Sequence, residues 1–119
     1  MALKMRKSEV APPPEACPLS TCLSILGGAW APNIIWYLSG APRRFSELRA
    51  DIPGVSAKVL TTRLKELQEH GVIARTVKPT SPPSVEYSLT DLGLELLPAI
   101  QAIVEVGKKL KARKLALSA

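Results

Sequence analysis

Aromatic side chains are scarce in this chain of 119 residues: one Phe, two Tyr and two Trp, 4% of the total. A surface that reads RNA by stacking successive bases on rings needs more of them, so that class of recognition is disfavoured. Histidine occurs once, as His70, and cysteine twice, as Cys17 and Cys22, a thin ligand set for a metal site built from protein alone. No CxxC pair, Ser/His/Asp set, phosphate-cradling glycine loop or carboxylate pair marks the chain as an enzyme, and no cofactor is implied. No apolar run approaches the roughly 20 residues of a membrane-spanning helix. The N-terminal MALKMRKSEVAPPPEA has basic residues without an apolar stretch behind them, unlike a secretory signal. These absences together imply a cytoplasmic protein with no membrane partner.

What is present begins with bulk. Hydrophobic residues make up 46% of the chain, enough for one modest core in a single domain of this length. Formal net charge is +6 and unevenly placed. Residues 43–80 hold eight basic side chains against four acidic ones, residues 81–106 hold four acidic and no basic ones, and five basic side chains crowd into residues 107–119. Two basic zones around an acidic one suit a polyanionic partner. Ordinary solubilising charge fits the same pattern equally well.

Periodicity gives the elements. Leu19, Cys22, Leu23 and Leu26 fall at i, i+3, i+4 and i+7, the apolar stripe of a helix that Gly27 and Gly28 stop, with Cys22 on the core side. A second helix over 29–39 carries Ala31, Ile34, Ile35 and Leu38, with Pro32 tolerated in its first turn and Gly40 as its stop. Phe45, Leu48 and Ile52 face inward on a third helix, ended by Pro53-Gly54. Ser56 is a good N-cap for a fourth, whose inner stripe is Leu60, Leu64 and Leu67 and which Gly71 closes. Two β-type runs, VIARTV and VEYSL, flank the proline-rich KPTSPPS and read as a hairpin, with Val85, Tyr87 and Leu89 alternating against Glu86 and Ser88. Thr90 caps a last long helix. There Leu96, Ile100, Ile103, Gly107 and Leu110 recur at spacings of 4, 3, 4 and 3, the seam of a coiled-coil-like pairing. Pro98 is expected to bend that helix or mark its real start.

The expected fold is therefore mainly α with a small β-hairpin. Helix, tight turn, exposed helix and hairpin are the outline of a winged helix-turn-helix, a shape that fits the DNA major groove. Residues 1–16 are expected as a flexible tail, 17–110 as the domain, and 111–119 as a basic C-terminal tail.

With Leu60, Leu64 and Leu67 inward, Ala57, Lys58, Thr61, Thr62 and Lys65 project outward or along the flank of the fourth helix. Reading base edges requires short polar groups near the N-terminal end of such a helix, with cations to grip phosphate. Ser56, Lys58, Thr61 and Thr62 supply that mix, Ala57 suits a thymine methyl, and Lys65 suits phosphate. A solvated helix face is the plain alternative. Arg43 and Arg44, just before the third helix, are placed for phosphate contact. Lys78, Thr80 and Ser81, on a loop stiffened by Pro79, Pro82 and Pro83, are placed for a minor groove or flanking phosphates.

At this point the residues resemble a known family, the HxlR-type winged-helix transcriptional regulators of bacteria, which are MarR-like. The likeness is carried by CPLSTCLSILGGAW at 17–30, RRFSELRADIPGVSAKVLTTRLKELQEHGVIAR at 43–75 and PPSVEYSLTDLGLELLPAI at 82–100. The resemblance implies a homodimer on a pseudo-palindromic operator of double-stranded DNA. It further implies that the fourth helix enters the major groove, the hairpin lies on the flank, and the N- and C-terminal helices form the dimer. That assigns Leu19 and Leu23, with Leu96, Ile100, Ile103, Gly107 and Leu110, to the dimer interface. A repressor of a neighbouring gene is the expected role. The chain departs from the family's usual Lys after Gly-Gly, having Ala29, and continues with Ala31 and Pro32, which removes positive charge there.

Cys17 lies where several regulators of this kind carry a thiol that senses oxidants or electrophiles. A helix N-terminus favours thiolate, and the basic Lys4, Arg6 and Lys7 would add to that. A bridge between subunits through Cys17 fits better than a 17–22 disulfide, which would strain a helical start. A structural thiol with no sensing duty is the competing reading. A small-molecule effector is also conceivable between the dimer helices near Trp30, Trp36 and Ile103, although such residues are more often plain core. The alternative to DNA binding is a winged helix used only for protein–protein contact.

Overall fold

The computed structural model describes residues 9–11 and 17–118, with the backbone alone for 116–118. The expected tail over 1–16, with Lys4, Arg6 and Lys7, thus lies largely outside the described residues. The elements run α1 (Pro18–Leu26), α2 (Ala31–Leu38), β1 (Arg43–Arg44), α3 (Phe45–Asp51), α4 (Ala57–Glu69), β2 (Ile73–Lys78), β3 (Ser84–Leu89) and α5 (Asp91–Ser118).

α2 is the hub. Ala31, Ile34, Ile35 and Leu38 on it are all buried, and it packs against α1, α3, α4, α5 and β3. Pro32 sits in its first turn, where no amide donor is needed. Leu48 and Ile52 from the α3 end, Leu60, Leu64 and Leu67 from α4, Val72 and Ile73 beside the sheet, and Leu96 and Ile100 from α5 complete one continuous core. No polar or charged residue is buried among the described residues, so the core itself is wholly apolar.

The sheet has three antiparallel strands in the order β1-β3-β2 rather than the two of a bare hairpin. Arg43 pairs with Tyr87 and Arg44 with Glu86, while β2 meets β3 from Ile73↔Leu89 to Lys78↔Ser84. β3 is therefore the central strand; every residue from Ser84 to Leu89 is half-buried, and Tyr87 and Leu89 of the expected inward set pack against the core. Two residues of β1 are too few to read as a strand from sequence.

α1 corrects an expectation. No residue on it is buried; Ile25 and Leu26 lean on the core, while Leu19, Leu23 and Cys22 are exposed. The stripe over 19–26 meets the chain's own core only at Leu26; Leu19, Cys22 and Leu23 face away from it. α5 bears out the cap expected at Thr90 and decides one of the two alternatives for Pro98, which does not mark its start. It begins at Asp91, seven residues before Pro98, because Thr90 caps it: Thr90 Oγ1 accepts from the Gly93 amide at 3.2 Å and donates to the Gly71 carbonyl at 2.6 Å. Pro98 is exposed, so water can serve the carbonyl that its missing amide leaves without a partner. The same helix continues to Ser118, so residues 111–118, expected as a tail, are its last turns.

Candidate nucleic-acid interface

α4 owes its placement to its inner stripe. Leu60, Leu64 and Leu67 are buried, and at about 100° per residue the opposite side of the helix carries Lys58, Thr61, Thr62 and Lys65. All four are exposed, with Ala57 half-buried at the start. Ser56 stands just ahead as the N-cap, its Oγ accepting from the Val59 amide at 3.1 Å. Sequence reasoning therefore placed these residues on one accessible surface, and the fold brings them there together.

Hydrogen bonding decides what each one offers. Thr61 Oγ1 donates to the Ala57 carbonyl at 2.8 Å, and Thr62 Oγ1 to the Lys58 carbonyl at 3.0 Å. Their hydroxyl protons are used within the helix, so outward they present acceptor lone pairs and a methyl group. Ser56 is the converse: its oxygen already accepts an amide, and its proton is left to donate. Amino groups of adenine or cytosine suit the threonines, while guanine O6 or thymine O4 suits Ser56. Lys58 and Lys65 enter no ion pair among the described residues. Their ammonium groups are available to replace counterions on phosphate.

The remaining cations divide. Arg43 Nη2 donates to Asp51 Oδ2 at 2.6 Å, and its Nη1 lies 3.7 Å from Glu47. That guanidinium braces β1 against α3, which leaves little of it for a phosphate. Arg44 is exposed, and its backbone amide donates to Glu47 Oε1 at 2.9 Å. In the wing, Lys78 Nζ lies 3.6 Å from Glu86 across the hairpin, and Thr80 Oγ1 donates to the Pro82 carbonyl at 2.8 Å. Ser81, exposed at the tip, precedes Pro82 through a cis peptide bond. Four arginines carry no expected role; Arg75 is exposed on β2 and Arg113 on α5, and the other two lie in the helix-turn-helix. Arg49 is exposed on α3, while Arg63 turns inward from α4 toward Ala29. Lying beside Leu60, Leu64 and Leu67 on the helical wheel, Arg63 is marked by its spacing as an inner-flank residue.

The seam expected for a dimer splits in two. Leu96 and Ile100 are buried in the protomer's own core, whereas Ile103 and Leu110 are 59% and 58% exposed, Gly107 is half-buried, and Val106 joins them in the open. Leu19 and Leu23 on α1 are likewise exposed. Trp36 and Ile103 line one shallow groove with Pro32, Asn33, Tyr37, Ile100 and Val104. Trp30 is not part of that groove; its ring lies against Gly54 instead.

Cys17 is the N-cap of α1 and half-buried, and neither cysteine is in a disulfide. The Ser20 amide, then the Ser20 hydroxyl and the Leu19 amide, draw its thiol below the usual range. No capping hydrogen bond closes on the sulfur, so the effect is polarisation by first-turn donors. Cys22, expected in the core, is exposed, because α1 turns that part of its stripe, with Leu19 and Leu23, away from the core. Among the described residues no helix is long and apolar enough to cross a membrane, and no three His, Cys, Asp or Glu side chains gather as a metal site.

Comparison with known proteins bears on this geometry. The family model described as HxlR-like helix-turn-helix matches residues 25–114. The HTH-type transcriptional regulator YdeP of Bacillus subtilis is 41% identical over 99 residues, spanning 83% of this chain and 77% of that protein. The redox regulator HypR in its oxidised form superposes with a TM-score of 0.75 at 34% identity, over 78% of this chain and 96% of that one. The reduced form of the transcriptional regulator YodB from B. subtilis does so with a TM-score of 0.69 at 37% identity, over 76% and 89% respectively.

Proposed function

The chain belongs to the HxlR-like helix-turn-helix family and is an HTH-type transcriptional regulator rather than an enzyme; from that premise we propose that it acts as a homodimer on a pseudo-palindromic duplex operator. Ser56, Ala57, Thr61 and Thr62 read base edges, while Lys58, Lys65 and Arg44 hold phosphate. The exposed face of α4 carries this reading. It combines outward acceptors, an outward donor and unpaired ammonium groups on the second helix of a helix-turn-helix. Occupying an operator beside a neighbouring gene blocks access by bulk alone, so repression needs no further chemistry.

The deciding experiment is a gel shift on duplexes selected from a random pool by the wild type. Lys58→Ala combined with Thr62→Ala is expected to abolish the shift while leaving the circular dichroism spectrum intact. Wild-type shifting by the double variant would sink this assignment of the reading face. Failure of the wild type to select any duplex would leave a protein-contact module in its place.

A second reading concerns release, and the lowered thiol of Cys17 favours it. Oxidation joins Cys17 to the Cys17 of a second copy, two thiols giving one disulfide while the oxidant takes up two electrons and two protons. HypR, which this chain resembles at 34% identity, is described as a redox regulator. Titrating operator binding against diamide in wild type and Cys17→Ser tests it: the wild type is expected to respond and the variant not. Equal sensitivity in both removes the thiol from the mechanism.

A further inference from the structure

Arg63 has no outward duty, and its surroundings say why. The guanidinium leaves the inner flank of α4 and runs back to the junction between α1 and α2, where Nε donates to the Ala29 carbonyl at 2.9 Å. Nη1 is held at the same time by both oxygens of Glu66, one turn along α4, at 3.0 and 2.9 Å. The stem crosses Gly28 so closely that a Cβ there would lie 3.4 Å from Nε. Only a quarter of the Arg63 side chain is exposed (25%).

The receiving junction is itself fixed. Gly27 is the C-cap of α1, its amide donating to the Leu23 carbonyl at 2.7 Å, and Trp30 is the N-cap of α2, its carbonyl accepting from the Ile34 amide at 3.0 Å. Trp30 holds φ at +71°, a conformation that bulky L residues seldom adopt, and this sets the peptide plane carrying the Ala29 carbonyl. The Trp30 ring edge meets Gly54 in the turn between α3 and α4. The α1–α2 junction therefore grips the helix-turn-helix at two points, its turn through Trp30 and its second helix through Arg63.

We infer that Arg63 is a positioning residue for duplex reading: by its bond to the Ala29 carbonyl it sets the pose of α4 against the α1–α2 junction, without touching DNA. The inference rests on the duplex-reading function proposed above. The role belongs to the Nε–H donor and not to the positive charge, and chemistry allows the two to be separated. Gln places an amide N–H donor the same number of bonds from the backbone as Arg Nε, without charge; Met places a methyl there.

The test compares wild type, Arg63→Gln and Arg63→Met on the duplex selected by the wild type and on a scrambled duplex of equal length, across a salt series. Arg63→Gln is expected within about threefold of wild type on the selected duplex, and Arg63→Met weaker by about tenfold, the factor that 1.4 kcal/mol of lost pose stability gives. Both should keep wild-type affinity for the scrambled duplex, which also shows that they are folded, and both should keep the wild-type salt slope. Equal losses in Gln and Met, with a salt slope lower by about 1, would make Arg63 a phosphate contact and overturn the inference alone. No loss in Met also overturns it, as does a Met variant that no longer binds the scrambled duplex. A wild type that selects no duplex fells the duplex-reading function first and this inference with it.

Discussion

Gly93 lies in the first turn of a helix, where glycine is less favourable than alanine by up to about 1 kcal/mol. Its reason is contact: a Cβ there would fall inside the radius of the Val72 carbonyl oxygen and lie 3.0 Å from Leu89 Cδ2. Gly93→Ala is therefore expected to lose about 1–3 kcal/mol from overpacking despite its better propensity. A denaturant midpoint that falls with an unchanged slope is the expected signature. An equal or higher midpoint would mean that α5 can start further from the sheet at no cost. Cys17 makes a second claim at this scale. Donors from Ser20 and Leu19 lower its thiol, and the thiolate is the nucleophile. Its rate of alkylation by iodoacetamide, followed by mass spectrometry, should rise with pH through a midpoint below the ordinary cysteine value of about 8.5. A midpoint at or above that value would show that the first-turn donors do not act on the sulfur in solution.

Among the elements, α4 separates affinity from choice. Lys58→Ala removes a charge without an ion-pair partner among the described residues, so binding should weaken by a similar factor on every duplex, with the salt slope lower by about 1. Thr62→Val keeps shape and methyl but removes the acceptor, so it should spare the scrambled duplex and cost about 1–3 kcal/mol at one base position. A base-by-base substitution series on the selected duplex separates the two; uniform loss from Thr62→Val would make that residue a support instead of a reader. This element was also the most legible in the sequence, because a helix with one apolar stripe leaves its outer face no other place to go. Legibility failed where identity depends on partners distant in the chain. Arg43 and Arg44 look alike as a pair of cations, yet Asp51 claims the first. The two-residue β1 is invisible without β3 beside it. Cys22 was assigned to the core because a stripe shows that a helix has an apolar side without showing which body covers it.

For the whole molecule, the same ambiguity becomes the main structural question. α5 spends Leu96 and Ile100 on its own core and then carries Ile103, Val106 and Leu110 into the open, while α1 leaves Leu19 and Leu23 exposed. At 1.5 Å per residue its 28 residues reach about 42 Å, longer than a domain of this size needs to close one core. Uncovered apolar stripes on the first and last helices suit burial against a second copy, as in the homodimer proposed above. Ile103→Glu places a charge in the middle of that stripe and leaves Leu96 and Ile100 alone, so the protomer should keep its helical spectrum and thermal transition. Light scattering after size exclusion is then expected to report a dimer for the wild type and a monomer for the variant. The functional cost follows from geometry. Two reading helices joined in one body engage two half-sites with the second contact made intramolecular, worth about 10²–10⁴ in affinity. The monomer should forfeit a factor of that order on the full operator while binding a single half-site as the wild type does. A variant that stays dimeric would place the interface elsewhere on the molecule. One that is monomeric yet binds the full operator unimpaired would separate this regulator's DNA reading from its symmetry.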